Sequence, residues 1–305
     1  MKDAAHLWGK DTNKTEDILH SELGDKAYRI ACIGPSGESL SLIAAIINDK
    51  GRAAARSGVG AVMGSKRLKA IVLKGSQKVP VAYNARLEDI RKTFCANLQA
   101  GGFIQGLIKH GTCGSVSAQV ISGAASAKNW SILGEQGMPT HAKLTGDNVI
   151  KYQARRYACK GCPVACGGIV NIAEGPYQVT EAHKPEYETL VAFGTQCFND
   201  NVESVVKAND ICNLFGLDTI SAGETIAFAM ECYERGLIKK EQLDGIELIW
   251  GNADAMLAVL GKMLQREGFG DVLAEGVRGK KNEVSPSPAL SHQGRGKWIA
   301  PRKIL

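Results

Sequence analysis

The sequence predicts an α+β fold, with its strands early and its helices later. Short apolar runs bounded by glycine and proline, the mark of strands, fall within residues 1–78. From about residue 80 onward, apolar residues recur at helical spacing. With 305 residues and 44% hydrophobic content, the chain can bury a real core, which excludes wholesale disorder.

Taken in order, 17–23 reads as a short helix stopped by Gly24, and 28–34 as a strand. Segment 40–48 is apolar and open between strand and helix. Segment 51–65 is glycine-rich and basic, and 68–73 is a second strand. Val79-Pro80-Val81 reads as an extended linker, because a residue before proline is pushed away from helix. The first domain is therefore expected over 1–78, and a mainly helical one over 79–279. In the latter, 87–98 and 207–215 have helical spacing. Ser221 and Glu224 fit a capping box, with the helix behind them running through Ile226, Met230 and Tyr233 to Gly236. Segment 248–267 reads as another helix, closed by Gly268. The last stretch, 280–305, holds three of the nine prolines and shows no periodicity, so it reads as a disordered tail.

Charge narrows the partners. Of the formal +6, five units lie in 280–305, so the rest of the chain is nearly neutral and gives no case for nucleic acid. No apolar run of about 18 residues is present, which argues against a membrane span. The start, Met1-Lys2-Asp3, has no apolar signal region. Nine cysteines, an odd number, do not read as a disulfide framework, and the expected compartment is the reducing cytoplasm.

Six of those cysteines are scattered and read as small buried hydrophobes. The other three, Cys159, Cys162 and Cys166, form C-x2-C-x3-C. Two thiolates at that spacing can grip neighbouring irons of one cluster, and a third one turn later can reach another corner. Lys160, Arg155 and Arg156 would favour the thiolates and offset a cluster's negative charge. Structural zinc, with His183 as a further ligand, and unliganded cysteines are the alternatives. Arg52, Arg56, Gly58, Gly60 and Gly64 offer guanidinium forks and close-approach amides suited to phosphate; a basic surface turn explains them equally well. Glu186 and Glu188 follow Pro185 in the first turn of a helix. There they can complement the dipole or activate water. His6, His20, His110 and His141 sit in no constellation.

Several separated stretches resemble the tungsten-dependent aldehyde ferredoxin oxidoreductase family. They are Gly34-Pro-Ser-Gly-Glu-Ser, the segment 48–71, Cys159 to Cys166, Lys184-Pro-Glu-Tyr-Glu-Thr-Leu and Gly216-Leu-Asp-Thr-Ile-Ser. Their order and spacing are similar to the family's over residues 4–279. The resemblance implies a tungsten (or molybdenum) bis-pterin beside one [4Fe–4S] cluster held by Cys159, Cys162 and Cys166. It implies pterin contacts around Arg52, Arg56, Ser57, Gly58 and Gly60, and at Asn213, Gly216, Leu217 and Asp218. Ser57 stands where the family usually has glycine, and Asn213 where it has aspartate. A glutamate near the metal is implied, Glu188 ahead of Glu186. The implied reaction oxidises a small-molecule aldehyde to a carboxylic acid and passes electrons to ferredoxin. A related subunit that reduces acyl-CoA thioesters shares the superfamily, so fold does not fix substrate.

Family chains are about twice this length. The resemblance therefore implies a truncated member lacking the early part of the first domain and all of the third. The third domain normally supplies the fourth cluster cysteine, for which Cys197 and Cys212 are the in-chain substitutes. The expectation is an incomplete enzyme, inactive alone, completed by a homodimer or by another chain. Its alternative is an inactive remnant with an incomplete cluster or a zinc site.

Overall fold

The computed structural model describes residues 2–278. The tail expected over 280–305 lies outside them.

Strands β1 (Arg29–Ile33), β2 (Ile46–Asn48), β3 (Arg52–Ala54) and β4 (Ala70–Leu73) form an antiparallel sheet in the order β3-β2-β1-β4. Of the ambiguous segment 40–48, only the last three residues become strand, with Ile47 opposite Cys32. Alternation divides the faces: Ile30, Cys32 and Ile47 are buried, while Ile71 and Leu73 face outward. The helix Thr12–Leu23 packs against β1, capped by Asp11 at its start and by left-handed Gly24 at its end. It begins five residues earlier than expected, because the apolar pattern starts after its buried Thr12 and Thr15.

The helix Val59–Ser65 lies so close to the 35–45 segment that glycine is required. A Cβ on Gly60 would stand 2.5 Å from the Ala45 carbonyl oxygen, and one on Gly64 would stand 1.9 Å from that of Gly37. Beneath them Lys69 is sealed against Glu38 at 2.5 Å and also donates to the Lys10 carbonyl at 2.8 Å.

Beyond an exposed connection at 74–83 stands the helix Asn84–Ala100. The helices Val202–Phe215, Thr219–Glu234 and Ala253–Gln265 then build the main core around Val205, Ile226, Met230, Met256 and Leu260. A second antiparallel sheet, β5 (Gln153–Tyr157), β6 (Gly167–Ile172) and β7 (Val179–His183), was not anticipated from the sequence. The architecture is a mixed α+β one with two small sheets.

The capping box needs correcting. The Thr219–Glu234 helix is capped by Asp218, whose carboxylate accepts from the amides of Ile220 and Ser221. Ser221 is already inside the helix, and its hydroxyl donates to the same carboxylate at 2.5 Å. The 248–267 helix, by contrast, starts later, at Ala253 behind its cap Asn252, and ends at left-handed Arg266 just before Gly268.

The early sheet and the later helices are sewn together by hydrogen bonds to backbone carbonyls. Ala45 N–H donates to Gly216 at 2.8 Å, Asp218 N–H to Ile43 at 3.0 Å, and the Thr12 hydroxyl to the Asn213 carbonyl at 2.8 Å. The Ser41 hydroxyl reaches the Ala274 carbonyl at 2.5 Å.

Candidate functional site

The cysteine loop spans 158–166 between β5 and β6, so both its ends are fixed by the ladder at Tyr157↔Gly167. Within it, the Cys162 amide turns back to the Cys159 carbonyl at 3.0 Å, and Gly161 and Ala165 take left-handed conformations. Arg156 secures the loop by donating to the carbonyls of Val164 and Ala165.

The three thiols meet different surroundings. Cys159 is exposed, and its sulfur accepts from Arg52 Nη1 at 2.9 Å. The Cys162 sulfur accepts from the amides of Val164 and Ala165, which lowers its pKa from the ordinary thiol value. Burial, followed by the nearby Glu186 carboxylate, pushes Cys166 up.

Around the loop stands a polar group drawn from three strands. Arg52, on β3, lies 5.0 Å over the Tyr157 ring and 4.0 Å from Asp49. The Tyr157 hydroxyl is hydrogen-bonded to His183 Nδ1 at 2.7 Å, and the two rings meet edge-on at 5.2 Å. Burial first, then the charges of Arg52 and Arg155, hold His183 down at about 4, so it is neutral at pH 7. Gly51 backs the imidazole so closely that a Cβ there would lie 2.3 Å from the ring.

Glu186 caps the turn Tyr187–Leu190 from the N-terminal side and accepts from the Thr112 hydroxyl, which itself accepts from the Tyr187 amide at 2.9 Å. Lys184 is buried, donates to the His110 carbonyl at 2.6 Å, and has its pKa lowered by burial. Glu186, close enough to perturb Cys166, Lys184 and Tyr157, is the carboxylate that the fold brings to the loop. Glu188 is exposed in the turn that follows.

Of the remaining expected residues, Asn213, Gly216, Leu217 and Asp218 lie on the seam between the early sheet and the helices. Arg56 and Ser57 are exposed, and Ser57 has a φ of 79°. Gly58 and Gly60 are buried, and the Gly60 amide donates to the Ala44 carbonyl at 3.0 Å. Asn213 is 7% exposed and Asp218 1%, so both sit inside the seam. Gly216 is the left-handed cap of its helix, and Leu217 forms a bridge with Ala44.

The cofactor expectation is overturned by this arrangement. Among the described residues, no group of three or more His, Cys, Asp or Glu side chains is placed to hold a metal ion. The [4Fe–4S] cluster, the tungsten or molybdenum bis-pterin and the zinc alternative all fall with that finding. The physical reason lies in the contacts just described: Arg52 holds Cys159, loop amides hold Cys162, Cys166 is partly buried and Tyr157 occupies His183. Cys197 and Cys212 are completely buried in the core, where their thiols are pushed far up, and neither reaches the loop.

Sequence reasoning missed Tyr157, Thr112 and Lys184, and saw His183 only as a zinc ligand. The one available signal was Tyr157 and His183 flanking the cysteine run. Among the described residues, no helix is long and apolar enough to cross a membrane.

Residues 1–75 match the family model described as the aldehyde ferredoxin oxidoreductase N-terminal domain. Residues 89–301 match the one described as domains 2 and 3 of the same enzyme. The chain is 41% identical over 283 residues to the tungsten-containing aldehyde ferredoxin oxidoreductase of Pyrococcus furiosus, covering 90% of this chain and 45% of that one. Identity to the enzyme of that name from Thermococcus kodakarensis is 40%, with the same coverage. An aliphatic sulfonate oxidoreductase, WOR-like subunit, of Pyrococcus furiosus is 32% identical over 295 residues, covering 90% of this chain and 46% of the relative. In fold, the chain is similar to the active-site complex BamBC of benzoyl coenzyme A reductase, with a TM-score of 0.71, 24% identity, and coverage of 91% of this chain and 43% of that one. The chain thus spans about half the length of the relatives it matches, and over that span it belongs to the aldehyde ferredoxin oxidoreductase family.

Proposed function

We propose that this chain is one part of an aldehyde-oxidising enzyme and does not turn over by itself. The observation that carries this reading is the dispersed set of ligating side chains around the cysteine loop, in a chain matching 45% of its relatives' length. The relatives' names supply the reaction class for a complete assembly, oxidoreduction between an aldehyde and ferredoxin; in this reading the aldehyde becomes its carboxylic acid and ferredoxin takes the electrons. The 41% identity to enzymes of that name, against 24% to the benzoyl coenzyme A reductase complex, puts aldehyde ahead of thioester as substrate.

In this reading, residues 1–78 and 79–279 are two successive modules. Cys159, Cys162, Cys166 and Glu186 are the chain's share of a reaction site completed by residues elsewhere. Glu186 is better placed than Glu188, because it already contacts Thr112 beside the loop. Asn213, Gly216, Leu217 and Asp218 line the module seam, and Arg56, Ser57, Gly58 and Gly60 belong to the first module.

The test is aldehyde-dependent reduction of a viologen dye by the chain purified under anaerobic conditions. With acetaldehyde or benzaldehyde the rate should not exceed the protein-free background. Sustained turnover by the isolated chain would refute the reading.

A further inference from the structure

The segment Cys159-Lys160-Gly161-Cys162 places two thiols at the first and last positions of one tight turn. The Cys162 amide donates to the Cys159 carbonyl at 3.0 Å, and Gly161, at the third position, has a φ of 76°. A hydrogen-bonded β-turn with that sign of φ is of type II, and it holds its first and fourth Cα atoms within about 7 Å. Inside that separation two cysteines can be bridged without moving the backbone. Cys159 is exposed and Cys162 half-buried, so a small reagent can reach the pair. Cys166 stands apart from the turn. It directly precedes β6, next to the Tyr157↔Gly167 pairing, and Gly111 backs its carbonyl so closely that a Cβ there would lie 2.6 Å from the oxygen. Among the described residues, no third ligating side chain converges on the two sulfurs of the turn, which leaves them to each other.

We propose that Cys159 and Cys162 form a reversible dithiol–disulfide pair that exchanges with small disulfides such as oxidised glutathione. Cys159, the more exposed, attacks the small disulfide, releases one of its thiols and is left in a mixed disulfide. Cys162 then attacks the Cys159 sulfur and releases the second thiol. The pair gives up two electrons and two protons, and the small disulfide takes up both as two thiols. The loop is built to tolerate the change. Its ends stay in the β5–β6 ladder, and Arg156 keeps its hold on the carbonyls of Val164 and Ala165. What changes is the link to the first sheet: oxidation turns the Cys159 sulfur toward Cys162 and away from Arg52 on β3, which donates to it at 2.9 Å in the dithiol state. A bond that encloses only two residues constrains the unfolded chain little, and its exposure makes it labile, so it is an exchangeable site and not a staple. The proposal is independent of the catalytic reading above.

The test uses the full 305-residue chain, purified anaerobically and equilibrated in glutathione buffers of rising oxidised-to-reduced ratio. Samples are quenched in acid, denatured and alkylated with iodoacetamide. Of the nine cysteines, two should lose their label as the ratio rises and regain it when the buffer is made reducing again. Trypsin cuts after Lys160, so the oxidised digest should hold 157–160 joined to the peptide that begins at Gly161, and reduction should part them. Cys166→Ser should keep the transition. Cys162→Ser, with an unchanged far-ultraviolet spectrum, should lose it and carry glutathione on Cys159 instead. Full labelling at every ratio overturns the proposal, as does a bond that persists in Cys162→Ser or vanishes in Cys166→Ser. Iron or zinc retained stoichiometrically by the purified chain, with both thiols unreactive until a chelator removes it, overturns it as well.

Discussion

His183 is the residue whose environment makes the sharpest demand on the folded state. Its pKa falls from the ordinary 6.5 to about 4 in the fold. Between those values the unfolded chain takes up a proton that the folded chain refuses. The stabilisation from a neutral His183 is therefore complete above about pH 6.5 and is lost as pH falls through 4, an amount on the order of 3 kcal/mol. Urea midpoints measured at pH 7.5 and 4.5 should drop in wild type by clearly more than in His183→Gln, which has no proton to take up. Equal drops would show that the imidazole is not buried as described. Little of this was legible in the sequence. Arg52, Tyr157 and His183 come from three strands of two different sheets, and nothing local to any of them announces the others. What was legible was most of the bland part of the cysteine count: of the six scattered cysteines, Cys32, Cys113, Cys197, Cys212 and Cys232 are buried, while Cys95 is only half-buried. Ser57, a departure from the family's glycine, sits at a φ of 79°, a conformation in which a side chain is strained and glycine is not.

Helix starts turn on which of two eligible residues is held by the rest of the molecule. Asp218 and Ser221 both qualify as caps by type, and pattern alone pointed to Ser221 because of Glu224. Asp218 has the role because its own amide is fixed on Ile43 across the seam, which sets its extended backbone. Asp218→Ala should cost about 1–2 kcal/mol in chemical unfolding, and Ser221→Ala less, since the helix amides keep their acceptor. A larger loss from Ser221→Ala would restore the original assignment. Helix ends were easier to read: Gly24 and Gly216 are left-handed caps whose signal is in the residue itself. The β5-β6-β7 sheet escaped notice because its signals are weak. The strand Gln153–Tyr157 is rich in charge, and Gly167–Ile172 opens on two glycines. Each glycine is demanded by a neighbour, Gly167 by the Tyr157 ring and Gly168 by the Gln153 side chain. Cross-strand packing of that kind overrides local preference.

At the scale of the whole molecule, the bulk charge of the sequence was the least informative number, and the length the most. Most of the net charge belongs to 280–305. The length fits a family module that leaves apolar faces uncovered: the outer side of β4, with Leu73 66% exposed, and the 84–100 helix.

The seam that joins the early sheet to the helices carries a further consequence. Between β4 and the 84–100 helix the polypeptide runs exposed and without regular structure, so a protease should cut there first. Yet the two sides are held by Ala45 on Gly216, Asp218 on Ile43, Thr12 on Asn213 and Ser41 on Ala274, none of which depends on that covalent link. Brief trypsin treatment should yield two bands on a denaturing gel and one species in native gel filtration. Two separate native species would mean that the peptide bond, and not the seam, holds the molecule together. The chain would then behave as two complementing pieces that happen to be made as one.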